Sequence, residues 1–258
     1  MNLVVQRHGA LPDWAQGQDD RALFEAAWSR VALPRTTWRA SRTREDAFLK
    51  GMAVPAVCNT QLWRRRWDIE HEANNQLAMA RRAVPVAPLL AWGQHSLGPV
   101  PRRSWLLAEL LPRAESLRAL IERRLAEGRA DELRQPLALA GGAVAALHAE
   151  GWVHDDLAAR NVVIFHAAGA PAARIVDVAR AHCPSDPSAR ARGRRIDLYR
   201  LAKAGYRYGL SPDPVAHMIE AAAPGQGTAI AEVTRSIRAI SNRYARMARY
   251  HIWTRFGR

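Results

Sequence analysis

The stretch His154-Asp155-Asp156-Leu157-Ala158-Ala159-Arg160-Asn161 is followed by Ile175-Val176-Asp177, whose aspartate lies sixteen residues after the asparagine. Asp156 and Asn161 lie five positions apart on a short loop, so both side chains can face one site. The apolar runs Val162-Val163-Ile164-Phe165 and Arg174-Ile175-Val176 predict a tight β-hairpin that returns the chain and delivers Asp177 beside Asn161. A carboxylate able to receive a hydroxyl proton, with two oxygen donors suited to a hard divalent cation, is the equipment of phosphoryl transfer.

The pattern resembles the kinase signature H-R-D-L-x-x-x-N followed by D-F-G. Two departures stand out: the second loop position is Asp155, and the D-F-G position reads Asp177-Val178-Ala179. The resemblance implies Asp156 as the group that deprotonates the acceptor and Asn161 and Asp177 as Mg²⁺ ligands. Arg160 is placed to contact the transferred phosphoryl group or the acceptor. His154 reads as a residue that packs the loop, and Asp155 as pointing to solvent.

Composition supplies an independent check. Of 38 basic residues only two are lysines, Lys50 and Lys203. A kinase needs a lysine on its third strand, because a compact ammonium reaches the α and β phosphates where a wide guanidinium fits poorly. Lys50 ends the strand-like run Asp46-Ala47-Phe48-Leu49-Lys50, about a hundred residues ahead of the loop, where such a lysine belongs. Its usual partner is a glutamate on the next helix. Residues 67–82 have helical composition, with Ile69, Ala73, Leu77 and Ala80 on one apolar face, and both Glu70 and Glu72 lie on it. Periodicity alone does not choose between them.

The expected fold class is α+β: a bilobal protein-kinase-like fold with a small antiparallel-sheet N-lobe and a mainly helical C-lobe. The expected boundaries are 1–108 for the N-terminal lobe, 109–112 for a hinge and 113–258 for the C-terminal lobe. A leading helix is expected over 19–28 and two or three strands over 31–50. Glycine is absent between Gly17 and Gly51, so a glycine-rich phosphate loop is missing, and Ser41, Arg42 and Thr43 are left to cap the phosphates. Residues 84–93 read as a loop into a strand. Residues 104–111 read as a buried strand ending in Ala108-Glu109-Leu110-Leu111, where the backbone of Glu109 and Leu111 would bind adenine. Glu115-Ser116-Leu117 opens a helix, and Leu137, Ala140, Val144 and Leu147 mark the helix leading into the loop.

Past Asp177 the chain is short. Only twenty positions separate it from Asp197, with Arg190, Arg192, Arg194 and Arg195 between, and there is no A-P-E segment. A peptide-binding kinase needs that longer region, so a small hydroxyl acceptor is favoured. Asp197 is expected to anchor the loop from below by accepting backbone N–H bonds. The tail carries an apolar stripe, Ile230, Val233, Ile237, Ile240, Tyr244 and Met247, with Arg235, Arg238, Arg243, Arg246 and Arg249 largely off it. That pattern fits a packed helix with a solvated basic face, or a surface that meets anionic lipid.

A chain of 258 residues with 48% hydrophobic content can bury a substantial core. Cys58 and Cys183 have no paired spacing, which argues against a disulfide framework or zinc site and for a reducing compartment. The first residues lack the apolar core of a signal peptide, and no apolar run approaches the roughly 20 residues that span a bilayer, so a cytoplasmic location, soluble or peripheral, is expected. The formal net charge of +14 predicts attraction to polyanions. Its nine tryptophans are dispersed without an RNA-binding sheet motif, which makes nucleic acid the weaker candidate.

Together these residues resemble the Kdo/WaaP lipopolysaccharide kinase family over roughly residues 40–205. The features are Phe48-Leu49-Lys50, the helix followed by Val84-Pro85-Val86, the run from Leu147 to His154, Asp156-Leu157 with Arg160-Asn161, Asp177 with Arg180-Ala181, and the arginines ahead of Asp197-Leu198. The family's spacing between glutamate and Val-Pro favours Glu72 over Glu70. The resemblance implies ATP with Mg²⁺ as cofactors and a polyanionic glycolipid as acceptor, a Kdo or heptose hydroxyl of the lipopolysaccharide inner core. It also implies work at the cytoplasmic face of the inner membrane. Two rival readings share the fold. An aminoglycoside phosphotransferase binds polycations, against the charge seen here, and a pseudokinase-like binding module is motivated by Ala179 and the missing glycine loop.

Overall fold

The computed structural model describes residues 2–31, 39–43, 47–53, 69–97 and 100–239 of the chain. These form two compact units. One is built from the described residues of Met1–Leu111 together with Asp177–Arg180, the other from those of Pro112–Val176 and Ala181–Arg258.

The first unit is organised by strand alternation. Its antiparallel sheet holds β1 (Asn2–Arg7), β2 (Arg39–Thr43), β3 (Ala47–Ala53), β4 (Leu89–Leu97) and β5 (Val100–Glu109), in the order β1-β4-β5-β3-β2. Two helices cover its two faces: α1 (Asp20–Val31) and α2 (Ile69–Ala80). Successive strand residues point to opposite faces. On β3, Ala47 and Leu49 join α1's Leu23, Phe24 and Ala27 and β5's Trp105 and Leu107 in one buried cluster. Phe48 and Met52 pack instead with α2's Ile69 and Ala73 and β5's Leu106 and Ala108. Lys50 shares the second parity and so belongs to the α2 face.

One boundary changes here: Val31 ends α1 rather than opening a strand, and the two strands β2 and β3, within the two or three expected, lie in the described part of 31–53. α1 therefore starts and ends later than expected; the Asp19 carboxylate takes the Ala22 N–H at 2.7 Å and caps it. β1 was not foreseen, because its partner β4 lies about ninety positions away, pairing Asn2 with Ser96 and Arg7 with Ala91.

The second unit is mainly helical. Its helices are α3 (Leu117–Ala126), α4 (Arg134–Ala149), α5 (Pro187–Arg207), α6 (Pro212–Ala222) and α7 (Gly227–Ala239), with a small sheet of β6 (Glu115–Ser116), β7 (Val162–Ala167) and β8 (Ala170–Ile175). Ser116 caps α3 by accepting the Ala119 N–H at 3.2 Å. The β7–β8 hairpin turns at Ala168 and Gly169, both with positive φ (47° and 86°), the two-residue geometry that matches strand twist. Gly141 lets α4 reach α6: a Cβ there would collide with the Met218 carbonyl oxygen, a backbone atom with little room to yield. The apolar positions expected on α4, Leu137, Ala140, Val144 and Leu147, are all fully buried. In the basic tail, the described helix stops at Ala239, so Ile240, Tyr244, Met247 and the last three arginines lie outside the described residues.

Candidate active site

In the first unit two carboxylate side chains close on one ammonium group. Lys50, only 6% exposed, is held on the α2 side by strand parity. Its Nζ donates to Glu72 Oε1 and Oε2, each at 2.6 Å, and to Asp177 Oδ1 at 2.6 Å. Glu72 is buried within α2, whereas Glu70, two residues earlier, faces outward. A half-turn of helix thus settles what periodicity left open. Asp177 has a left-handed backbone (φ 58°) and leads into a short 3-10 turn, Val178–Arg180. Asn75, three residues after Glu72 and buried, donates to the Val178 carbonyl at 3.0 Å. α2 therefore grips the Asp177 segment twice, through Lys50 and through Asn75. The expected apolar face of α2 is a mixed one: Ile69, Ala73 and Met79 are buried, but so are Glu72, Asn75 and Gln76, while Ala80 is exposed. Polar residues are buried there because they have partners, Gln76 donating to the Ala87 carbonyl.

At the end of β5, Glu109 donates its N–H to the Pro88 carbonyl at 2.9 Å. The side chains of Ser41, Arg42 and Thr43 lie outside the described residues, as does Cys58; the Cys183 thiol is free and exposed.

In the second unit the loop after α4 gathers the remaining residues. Asn161 is buried, and its amide donates to the Asp156 carbonyl at 2.9 Å, tying the two ends of the loop together. The Arg160 guanidinium donates to Asp156 Oδ2 at 2.9 Å, with the carboxylate about one-third exposed. The Asn161 carbonyl accepts the Val176 N–H at 2.9 Å, which fixes the start of the segment leading into Asp177. Below the loop, fully buried Asp197 accepts the His154 N–H at 2.7 Å and the Asp155 N–H at 3.1 Å, and its Oδ2 lies 3.2 Å from His148 Nε2. His154 is itself fully buried, Nε2 lying 3.2 Å from the Val176 carbonyl, a packing position. Asp155 does not point freely to solvent: Arg200 of α5 donates to its Oδ1 at 3.2 Å. A positive φ of 57° turns this residue toward α5, which sequence spacing could not show.

The lipopolysaccharide kinase (Kdo/WaaP) family model matches residues 58–221, well over half of the chain. The chain belongs to that family. It is a phosphotransferase acting on an alcohol group, and as a kinase of this family it uses ATP. No curated protein matches it. Among solved structures, WaaP in complex with acyl carrier protein aligns over 96% of this chain and 99% of that one, with 18% identity and a TM-score of 0.58. This likeness establishes the fold, protein-kinase-like α+β, as expected. The bifunctional kinase-methyltransferase WbdD aligns over 81% of this chain and 45% of its own, at 18% identity and a TM-score of 0.42. Sequence reading did not single out Asn75 or Arg200 in this kinase. Asn75 carried one readable signal, its place three positions after Glu72; Arg200 carried its place three positions after Asp197.

Proposed function

We propose that this kinase transfers the γ-phosphoryl group of ATP to a sugar hydroxyl of the lipopolysaccharide inner core, on Kdo or heptose, at the cytoplasmic face of the inner membrane. The observation that carries this is the buried Lys50 ammonium, held by two carboxylates that have different uses. Glu72 orients the lysine toward the α and β phosphates. Asp177, with Asn161, would hold Mg²⁺: one carboxylate and one amide oxygen suffice, because Mg²⁺ takes its other ligands from phosphate and water. The bound cation neutralises charge on the phosphate oxygens. Asp156 takes the proton of the acceptor hydroxyl, and Arg160, already bonded to that carboxylate, meets the phosphoryl oxygens or the acceptor. Most of the rate comes from positioning and charge neutralisation rather than from covalent steps on the protein. The backbone of residues 109–111 reads adenine. His154 and Asp197 support the loop without touching substrate.

The acceptor's class rests on charge and family. A surplus of +14 favours a polyanionic glycolipid and disfavours the polycations that aminoglycoside phosphotransferases take. Among the described residues no helix is long and apolar enough to cross a membrane, so contact with a lipid-borne acceptor would be peripheral.

The test incubates the purified chain with γ-labelled ATP, Mg²⁺ and inner-core lipopolysaccharide, then maps new phosphate by mass spectrometry. Asp156→Asn should lower transfer by about 10³-fold while MgATP still raises the melting temperature. Label on protein alone, or transfer that survives both Lys50→Ala and Asp177→Ala, would sink the assignment.

A further inference from the structure

α5 meets the loop bearing Asp156 along one stripe of its surface. Gly193, Asp197 and Arg200 recur at intervals of four and three, which puts them on one helix face. Each engages a successive point of residues 153–155. Gly193 lacks a side chain, so α5 comes close to Val153; a Cβ there would lie 2.7 Å from both Val153 methyls. Asp197 accepts the N–H groups of His154 and Asp155. Arg200 reaches one step further and donates to the Asp155 carboxylate at 3.2 Å. The residue so gripped has a φ of 57°, a left-handed conformation that a side-chain-bearing residue holds only where its surroundings fix it.

We infer that Arg200 is a positioning residue: by holding the Asp155 side chain while Asp197 holds its N–H, it fixes the left-handed turn at 155 and thereby aims Asp156. The consequence for catalysis rests on the role proposed above for Asp156. Residue 155 is one peptide bond before that carboxylate, so a change in its dihedrals swings the Asp156 side chain away from the acceptor hydroxyl. Arg160 steadies the carboxylate tip, at 2.9 Å, but it sits on the same loop and moves with it. Arg200 refers the loop to a separate, 21-residue helix. Where the protein-kinase signature carries arginine on the loop, this chain carries Asp155 there and Arg200 on the helix beneath.

Glycine adopts positive φ without penalty, so Asp155→Gly removes the handle while keeping the turn accessible. The experiment measures amide hydrogen exchange over residues 154–156, with kcat and KM for MgATP and inner-core lipopolysaccharide, in the full chain. Arg200→Ala should speed local exchange about tenfold and lower kcat about tenfold, with both KM values and the melting temperature nearly unchanged. Arg200→Lys should recover part of both losses. In the Asp155→Gly background, Arg200→Ala should change neither quantity further. Wild-type exchange and kcat in Arg200→Ala overturn the inference, as do equal losses with and without the Asp155 side chain. If Asp156→Asn remains fully active, the role of Asp156 falls, while the exchange comparison still decides whether Arg200 holds the turn.

Discussion

Lys50 is one of two lysines in a chain of 258 residues, and its ammonium sits 2.6 Å from carboxylates of both Glu72 and Asp177. A buried ammonium survives because paired oxygens replace its lost hydration. The site tolerates a point charge better than a planar fork, so Lys50→Arg should fail although it keeps the charge. Its kcat/KM for ATP should fall about 10²-fold or more in steady-state assays. Activity near wild type in Lys50→Arg would mean that charge alone is used. Glu72→Gln leaves the ammonium to Asp177, and should raise KM for ATP more than it lowers kcat. Lys50 was legible because lysine is so rare here and stands on a strand-like run. Glu72 was legible only by family spacing; what selects it physically is the side of α2 that faces the sheet.

At the scale of elements, close approach decides where side chains must be missing. Gly51 follows Lys50 on β3 and faces α1, where a Cβ would overlap the methyls of Val31. Gly51→Ala should cost about 1–3 kcal/mol and displace the strand that carries Lys50, so both melting temperature and ATP affinity should drop. Gly141→Ala should destabilise at least as much, because α4 meets backbone of α6 rather than flexible methyls. An unchanged melting temperature in either variant would contradict the packing described. The start of α7 offers a pH handle. Glu220 accepts the Gly225 N–H at 2.7 Å and the Gly227 N–H at 3.0 Å, and these bonds hold its carboxyl below the usual glutamate range. A carboxyl depressed in the folded state stabilises above its unfolded pKa, near 4.5, and that contribution disappears as pH falls through the folded value. Glu220→Gln should therefore melt lower than wild type at pH 7, and the gap should narrow below about pH 4.5. A gap that is flat from neutral to acid pH would rule out this linkage.

For the whole molecule, charge is the governing quantity. A surplus of +14 should draw a polyanionic acceptor by long-range attraction that salt screens. Raising ionic strength from about 0.05 to 0.3 M should raise KM for inner-core lipopolysaccharide several-fold, with kcat and KM for ATP little changed. Salt-independent acceptor kinetics would detach the charge from substrate capture. The division into two compact units also bears on stability measurements: if they unfold separately, one melting transition will not describe the chain, and MgATP should then act most on the transition of the units that bind it.

The sequence by itself determined the chemistry. Asp156, Asn161 and Asp177 are spaced by a loop and a hairpin, both local structures whose geometry follows from turn and strand preferences. The lysine was exposed by composition, and family resemblance reached the reaction, phosphoryl transfer to an alcohol group. What tertiary structure alone decided was direction: that Asn75 holds the turn after Asp177, that Asp155 is engaged by Arg200, and that β1 completes the sheet. The reason is physical. Spacing along a chain fixes which residues are available over a few turns of helix or strand, but the partner of an inward-facing side chain is chosen by packing between segments many residues apart.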